Sequence, residues 1–370
     1  MSTPLRPRIA IVAGARPNFM KVAPVLRAAA TRDYGFDFTL VHSGQHYSSE
    51  LSDIFFRQLA IREPDVHLNA GSGTHAGQTA RVLEAFETWL LNSRPAPSAV
   101  VVVGDINSTI AAALAAAKIG IPVIHLEAGL RSLDRTMPEE INRLATDAIS
   151  DLLLVSEPAG LENLTKEGAA DRVSYVGNVM IDTLVRHIDE ARASSASSAI
   201  PDPFALVTLH RPSNVDDPAA LTSVTDFLIA ISRKLHVAFP VHPRTAKNIE
   251  ACGLLAGLEA AGRVHLLPPQ GYIENLALLS RSRVVLTDSG GIQEETSYLG
   301  IPCLTVRENT ERPSTITLGT NTLVGRNFNK AQELIDHVLA GTYKAGHAIP
   351  GWDGHAAERV CEAIAVFLAR

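Results

Sequence analysis

Short apolar runs recur along the chain, and most are followed by a stretch with helical spacing of its apolar residues. In the first half these runs are residues 9–13, 37–42, 99–103, 121–126 and 152–155. In the second half they are residues 204–209, 237–241, 264–267, 284–287 and 301–306. Apolar strands that alternate with helices are typical of parallel sheets covered on both faces. The pattern therefore predicts an α/β fold built in two halves.

Helical spacing marks several segments between the runs and also the end of the chain. It is found over residues 18–30, 110–119, 182–193, 220–235 and 356–368, and we expect the last helix to be capped near Asp353. Residues 194–203 are small and end in Pro-Asp-Pro. This composition is typical of a loop or linker.

Composition excludes several classes of protein. Of the 370 residues, 46% are hydrophobic and 19% are charged, which fits a globular protein with a large core. The net charge of −6 argues against a nucleic-acid partner. The three cysteines lie far apart, so disulfides are not expected, and the first apolar run is too short for a signal peptide or a membrane span. We therefore expect a cytoplasmic protein that does not bind membranes.

The segment 284–295 (Val-Val-Leu-Thr-Asp-Ser-Gly-Gly-Ile-Gln-Glu-Glu) carries the strongest functional signal. It predicts a strand, a turn at Ser289-Gly290-Gly291 and then a helix. Glycines let backbone N–H groups come close to a ligand, and a helix N-terminus favours a phosphate. Glu294 or Glu295 could accept hydrogen bonds from sugar hydroxyls. An ordinary capped strand–helix connection has the same pattern, so other residues must decide between the two interpretations.

Polar residues follow many of the predicted strands. In open α/β sheets, ligands bind at the carboxyl ends of the strands. The residues at these ends come from both halves and suggest a cleft between two facing domains; they are Arg16, Asp105, Glu127, His210, His242, Ser289 and Arg312.

These residues have the chemistry of a nucleotide-sugar site. Arg16, His210, Arg312 and the Ser289 turn could offset the charge of a diphosphate, and Asp105, Glu127 and Glu139 could act as acids or bases on a sugar. Structural alternatives stay open: Asp105 could cap the following helix, and Glu139, after Pro138, could interact with a helix dipole. His125, inside an apolar run, is interpreted as a core histidine. The spacing of His and Cys suggests no metal site, and neither a three-glycine dinucleotide motif nor a Walker loop is found.

Eight motifs in the same order along almost the whole chain carry a family resemblance. They are Gly-Ala-Arg-Pro-Asn-Phe-Met-Lys (14–21), Gly-Asp (104–105), His-Leu-Glu-Ala-Gly-Leu-Arg (125–131), Pro-Glu-Glu-Ile-Asn-Arg (138–143), His-Arg-Pro-Ser-Asn (210–214), Pro-Val-His-Pro (240–243), Asp-Ser-Gly-Gly-Ile-Gln-Glu-Glu (288–295) and Thr-Glu-Arg-Pro (310–313). This set resembles the non-hydrolysing UDP-N-acetylglucosamine 2-epimerases.

The resemblance implies a fold like that of GT-B glycosyltransferases: two Rossmann-like domains that face a central cleft, with the C-terminal helix returning to the first domain. The expected domains are residues 1–185 with the helix 355–370, and residues 186–354. The resemblance also implies a UDP-sugar substrate, a homodimer, and no nicotinamide or other cofactor.

The reaction implied by the resemblance begins with elimination of UDP to give 2-acetamidoglucal, and UDP is then added back with inverted C2. Asp105, Glu127 and Glu139 are the implied acid/base groups, and His210 assists the departing diphosphate. The implied substrate-binding residues fall into four groups: Arg16, Ser289, Gly290 and Gly291 for phosphates, Glu295 for ribose, His242 and Arg312 for the nucleotide pocket, and Gln270 to Tyr272 for uracil. Lys21, from the first motif, is a further candidate.

The chain departs from the family pattern at two places. Gln45-His46 matches a regulatory segment of bacterial members, but Leu51 stands where a Met is expected, which puts activation by UDP-N-acetylglucosamine in question. Gly-Ala-Arg-Pro is also the form found in epimerases of UDP-2,3-diacetamido-uronic acids. That substrate, a hydrolysing epimerase and a GT-B glycosyltransferase remain open alternatives, as does the division of roles among the carboxylates.

Overall fold

Positions are described for residues 6–14, 16–44, 58–195 and 199–370 in the computed structural model, with the side chains of residues 16 and 17 left out. The chain divides into two compact units. The first comprises Met1–Val185 with Pro350–Arg370, and the second comprises Arg186–Ile349. The division falls inside a helix, ahead of the small-residue stretch 194–203.

In the described part of the first unit, seven strands form one parallel sheet in the order β3-β2-β1-β4-β5-β6-β7. The strands are β1 (Arg8–Ala13), β2 (Asp37–His42), β3 (Val66–His67), β4 (Ala99–Val103), β5 (Val123–Ala128), β6 (Leu152–Val155) and β7 (Val173–Tyr175). β4 is buried along its whole length, as its unbroken Val run predicts for a central strand covered on both faces. The strand order reverses between β1 and β4, and such a switch point is where open α/β sheets bind ligands.

Helices connect these strands. They are α1 (Arg16–Thr31), α2 (His75–Asn92), α3 (Asn107–Lys118), α4 (Pro138–Ile149), α5 (Pro158–Lys166), a 3₁₀ turn (Ala170–Arg172), α6 (Val179–Ala193) and, at the end of the chain, α15 (Ala356–Leu368). The sequence reasoning assigned no element between residues 47 and 98, yet α2 shows helical spacing, because Val82, Phe86 and Leu90 are all buried.

The C-terminal helix α15 belongs to the first unit and packs against α1. The thiol of Cys361 points at the carbonyl of Val25, 3.7 Å away. Asp353, near which a cap was predicted, accepts from the N–H of the N-cap residue His355 at 3.1 Å. The first two N–H groups of the helix itself donate instead to the carboxylate of Asp182, in α6, from Ala356 and Ala357 at 3.1 and 2.7 Å. The cap comes from a residue remote in sequence, so local spacing could not reveal it.

In the described part of the second unit, six strands form a parallel sheet in the order β10-β9-β8-β11-β12-β13. The strands are β8 (Phe204–Thr208), β9 (His236–Pro240), β10 (Val264–Leu267), β11 (Val284–Thr287), β12 (Cys303–Thr305) and β13 (Asn321–Leu323). The helices are α7 (Pro212–Val215), α8 (Pro218–Ser232), α9 (Pro243–Ala251), α10 (Leu255–Ala260), α11 (Tyr272–Arg281), α12 (Gly290–Leu299), α13 (Ser314–Thr317) and α14 (Phe328–Leu339).

The architecture confirms the predicted α/β fold with two parallel sheets. The ten predicted strands are present, and the sequence reasoning missed the two- and three-residue strands β3, β7 and β13, which are too short to show a pattern. Glu127 was expected after its strand but lies inside β5. Among the residues described, no helix is both long and apolar enough to cross a membrane.

Candidate active site

Asp105 and Glu127 lie at the carboxyl edge of the first sheet. β4 ends at Val103, Gly104 turns the chain with a φ of +65°, and Asp105 follows. Glu127 is near the end of β5, which pairs in parallel with β4. Adjacent parallel strands bring their carboxyl ends together, so the sheet topology places both carboxylates at one edge.

Glu127 is held in an unusual environment. Its side chain forms a buried ion pair with Lys21 of α1, and its φ is +74°, a conformation that is rare for a residue with a side chain. The pairing of β5 with β6 is irregular between Leu126 and Ala128. A Cβ at Gly104 would lie 3.1 Å from Lys21 Nζ and 3.3 Å from Glu127 Oε2, so glycine leaves room for this pair.

Asp105 pairs with Arg143, a buried residue of α4. Arg143 also binds Glu140 at 2.6 Å, so one guanidinium bridges two carboxylates. The alternative role of Asp105 as a helix cap is not seen, because the N-cap of α3 is Ile106 and no side chain caps it. Burial works to raise the pKa of Glu140, but hydrogen bonds from the Ser132 backbone and from Arg143 outweigh it and lower that pKa.

Glu139 lies in the first turn of α4, directly after Pro138, and its side chain is half-buried. This position at a helix N-terminus stabilises a carboxylate through the helix dipole. His125 is fully buried, with both ring nitrogens hydrogen-bonded. The interpretation of His125 as a core histidine is therefore confirmed.

In the second unit, His210 follows β8 and binds a buried aspartate at the end of the adjacent strand β11. His210 Nδ1 lies 2.9 Å from Asp288 Oδ1, and the His210 side chain is 47% exposed whereas Asp288 is fully buried. Burial works to raise the pKa of Asp288, but His210 and hydrogen bonds from Asn214 and the Arg211 backbone outweigh it and lower that pKa. An ionised aspartate therefore orients an accessible imidazole.

In the turn after β11, the guanidinium of Arg312 lies directly against Gly290. α12 begins at Gly290, and its N-cap, Ser289, makes no side-chain capping bond. A Cβ on Gly290 would lie 2.6 Å from Arg312 Nη1. Arg312 in turn binds Glu294 at 2.8 Å and also pairs with Glu311. Arg312 therefore carries its charge within a network of two buried carboxylates.

Glu295, from the first turns of α12, and Tyr272, from the start of α11, are both buried. Burial raises the pKa of Tyr272 well above its usual value, and the carboxylate of Glu295 adds to this effect. Gln270, in the preceding loop, donates a hydrogen bond to the carbonyl of Pro268 at 2.6 Å.

His242 caps α9, where its Nδ1 accepts from the Arg244 N–H at 3.3 Å. Its ring centre lies 6.2 Å from that of His210. His210, His242 and the Ser289 turn therefore lie at one edge of the second sheet, following β8, β9 and β11.

Some residues that the sequence predicts for the site or for its regulation lie outside the described residues. Arg16 begins α1, but its side chain is not described, and Gln45, His46 and Leu51 fall in the undescribed segment.

Sequence reasoning missed Arg143 as the partner of Asp105 and Asp288 as the partner of His210. Both residues belong to the motifs quoted above. Each carries a charge opposite to that of its partner, and this opposite charge is the sequence signal that could have identified the pairs.

Across the described ranges, no cluster of three or more His, Cys, Asp or Glu side chains is arranged to hold a metal ion.

Comparison with known proteins gives consistent matches. A family model described as UDP-N-acetylglucosamine 2-epimerase matches residues 28–365. The UDP-N-acetylglucosamine 2-epimerase of Methanocaldococcus jannaschii is 38% identical over 362 residues, covering 95% of this chain and 97% of that protein. The UDP-2,3-diacetamido-2,3-dideoxy-D-glucuronate 2-epimerase of Pseudomonas aeruginosa is 40% identical over 362 residues, covering 97% and 99%. The crystal structure of the Methanocaldococcus jannaschii enzyme in complex with UDP-GlcNAc and UDP superposes with a TM-score of 0.88 at 37% identity, covering 97% of this chain and 99% of that chain.

Proposed function

The chain belongs to the UDP-N-acetylglucosamine 2-epimerase family, and we propose that it interconverts UDP-N-acetylglucosamine and UDP-N-acetylmannosamine by inverting C2 of the sugar. The observation that carries the proposal is its similarity over nearly the full length, 37% identity with a TM-score of 0.88, to an enzyme whose crystal structure contains UDP-GlcNAc and UDP.

The chemistry of the sugar dictates what the protein must supply. The hydrogen on C2 is weakly acidic, because no adjacent carbonyl stabilises a carbanion. When the C1–O bond to UDP breaks first, positive charge develops at C1 and makes that hydrogen more acidic. Loss of the proton then gives 2-acetamidoglucal and UDP. Protonation of C2 on the other face and return of UDP to C1 complete the inversion.

In the first unit, Asp105, Glu127 and Glu139 are the groups we assign to proton transfer. A carboxylate acts as a base only when it is ionised, and a neighbouring cation favours that form. Glu127 has Lys21 beside it, and Asp105 has Arg143. Glu139 has the dipole of α4. Each carboxylate is therefore placed with its own source of positive charge.

In the second unit, His210 and the Ser289 turn are the groups we assign to the diphosphate. Asp288 occupies Nδ1 of His210, which leaves Nε2 for a ligand. An imidazolium at this position would stabilise the charge that develops on the departing UDP. The N–H groups at the start of α12, near Ser289, Gly290 and Gly291, suit a phosphate.

We assign the rest of the nucleotide to the same unit. Glu295 is assigned to ribose, His242 and Arg312 to the nucleotide pocket, and the segment Gln270 to Tyr272 to uracil. Arg16 and Lys21, from the first motif, are assigned to the substrate as well. We also infer a homodimer in the cytoplasm, to be tested by light scattering and by cell fractionation.

A second candidate substrate is a UDP-2,3-diacetamido-uronic acid. The relative from Pseudomonas aeruginosa that is named for such a substrate is 40% identical to this chain, compared with 38% for the Methanocaldococcus jannaschii enzyme named for UDP-N-acetylglucosamine. The uronic acid differs by a carboxylate at C5 and an acetamido group at C3. Its binding needs a cation near C5 that UDP-N-acetylglucosamine does not need.

The test is to incubate the purified protein with UDP-N-acetylglucosamine alone and to follow the products by proton NMR. Formation of UDP-N-acetylmannosamine without acceptor or cofactor supports the proposal, and in deuterated water the product should carry deuterium at C2. Release of free N-acetylmannosamine would identify a hydrolysing enzyme. If the protein turns over the UDP-2,3-diacetamido-uronic acid but not UDP-N-acetylglucosamine, the second candidate substrate would be favoured.

A further inference from the structure

His125 links the two segments that carry Asp105 and Glu127. It lies in β5, two residues before Glu127, and is fully buried. Its Nε2 is 2.8 Å from the carbonyl oxygen of Gly104, the residue before Asp105. Its Nδ1 is 2.6 Å from Asp147 Oδ1, on α4. One side chain therefore joins β5, the turn after β4 and a helix.

Both hydrogen-bond partners of His125 are acceptors. The Gly104 carbonyl only accepts, so Nε2 must donate. Asp147 is ionised, because its Oδ2 receives Arg131 Nη1 at 2.7 Å and the Gly129 N–H at 3.1 Å. Nδ1 therefore also faces an acceptor, and a ring with a proton on each nitrogen would satisfy both contacts. Arg131 is paired in turn with Glu167 at 2.6 Å.

Asp147 brackets Glu127 along the chain. Its two oxygens bind His125, two residues before Glu127, and the N–H of Gly129, two residues after it. Glu127 has a φ of +74°. Such a conformation is unfavourable for a residue with a side chain, and it persists only when the surroundings over-determine it. The contacts of Asp147 with residues on both sides of Glu127 help to hold Glu127 in this conformation.

His125 also fixes the turn before Asp105. The N–H of Gly104 donates to Leu126 O at 3.0 Å, and its carbonyl accepts from His125. Both polar groups of Gly104 are thus bound to β5. His125 therefore holds the peptide that joins Gly104 to Asp105, next to the Cα from which the Asp105 side chain extends.

We propose that the His125–Asp147 pair is a positioning device that holds Asp105 and Glu127 in their working geometry through a doubly protonated buried imidazole. The inference rests on the proposed function, because it assigns those two carboxylates to proton transfer. His125 and Asp147 are positioning residues, since each acts through the backbone next to a carboxylate.

The kinetic test compares His125→Gln and Asp147→Asn with the wild-type enzyme. Each variant is expected to lower kcat on the order of 10²-fold, because small displacements of reacting groups have effects of this size. KM should change less than about threefold, because the variants do not touch the groups assigned to the nucleotide. Leu90→Ala is the control for lost stability, since Leu90 is buried in the same unit on α2, away from this network. If the loss of kcat is proportional to the loss of melting temperature across all three variants, the proposal would be overturned.

A double-variant comparison separates positioning from general damage. Combining His125→Gln with Asp105→Asn should lower kcat by less than the product of the two single effects, because His125 acts through Asp105 and Glu127. The same comparison is made with Glu127→Gln, and losses that multiply with both carboxylate variants would mean that His125 acts elsewhere and would overturn the proposal.

Two measurements do not depend on turnover. In protein labelled with ¹⁵N-histidine, the His125 signals, assigned by their loss in His125→Gln, should show protons on both nitrogens; a singly protonated ring would contradict the proposal. A crystal structure of His125→Gln should show Glu127 leaving its positive φ or Gly104 rotating, and an unchanged backbone at both would also contradict it. Absence of turnover in the wild type would reject the proposed function, whereas these two results decide the inference itself.

Discussion

Lys21 and Glu127 form a buried ion pair although they lie 106 residues apart in the sequence. The pair joins the first turns of α1 to a strained position in β5, at the sheet edge where Asp105 also lies. A buried carboxylate without a partner is costly, so the two side chains depend on each other. Lys21 is therefore important to both the stability and the ionisation of Glu127.

Replacing Lys21 with Met should lower the stability of the folded protein and make the ionised form of Glu127 less favourable. Breaking a buried ion pair by removing one partner typically costs about 3–5 kcal/mol, and Glu127 would lose the cation that favours its basic form. We expect turnover to fall by roughly 10²–10⁴-fold, as for loss of a general base, together with a lower melting temperature. Lys118→Met is the matched control, because Lys118 is exposed at the end of α3. Normal turnover of Lys21→Met would separate Lys21 from the catalytic group.

The three proposed acid/base groups can be tested separately. Asp105→Asn, Glu127→Gln and Glu139→Gln should each lower turnover by roughly 10²–10⁴-fold. Incorporation of deuterium at C2 should fall in at least the variant that lacks the base. Glu362→Gln provides a control, since Glu362 forms an exposed pair with Arg32. Near-normal turnover in all three variants would remove the catalytic assignment.

Gly290 should not tolerate a side chain. A Cβ would lie 2.6 Å from Arg312 Nη1, so Gly290→Ala must displace the guanidinium from its carboxylate partners. We expect UDP to bind at least tenfold more weakly, a loss of about 1.4 kcal/mol, measured by titration calorimetry. Gly257→Ala is the control, because the nearest atom to its Cβ would be 3.7 Å away in ordinary contact. Equal affinity in the two variants would exclude Gly290 from the phosphate site.

Asp182 makes the stability of the first unit depend on pH. Burial raises the pKa of Asp182 from 3.8 to about 6, although the N–H groups of Ala357 and Ala356 work in the opposite direction. A folded-state pKa above the unfolded value means that the contribution is complete below pH 3.8 and is lost as the pH rises through 6. The loss amounts to about 3 kcal/mol, at 1.36 kcal/mol for each pKa unit.

This effect can be isolated by comparing the wild type with Asp182→Asn. The difference between their free energies of unfolding should shift by up to about 3 kcal/mol between pH 4 and pH 7.5, with the wild type losing stability relative to the variant. Urea unfolding followed by the fluorescence of the buried Trp352, in the same unit, measures it. A constant difference across this pH range would mean that Asp182 does not titrate as described.

Much of the fold was predictable because its signals are local. The Val run of β4 and the Gly-rich turn after β11 each have a pattern that identifies the element without knowledge of its neighbours. The cap of α15 was not predictable from the helix itself, because Asp182 lies 174 positions before Ala356. The conformation of Glu127 was hidden for a related reason, since a positive φ in a strand depends on contacts that come from α1 and α4.

The sequence by itself determined the alternation of strands and helices, the glycines at the turns and the supply of acidic and basic groups, because each of these depends on the chemistry of neighbouring residues. The tertiary structure alone decided which charges meet. Pairs such as Asp105 with Arg143 and His210 with Asp288 form because parallel strands and the helices beside them bring distant residues together. The energy of each pair depends on a separation and a burial that only the folded chain defines.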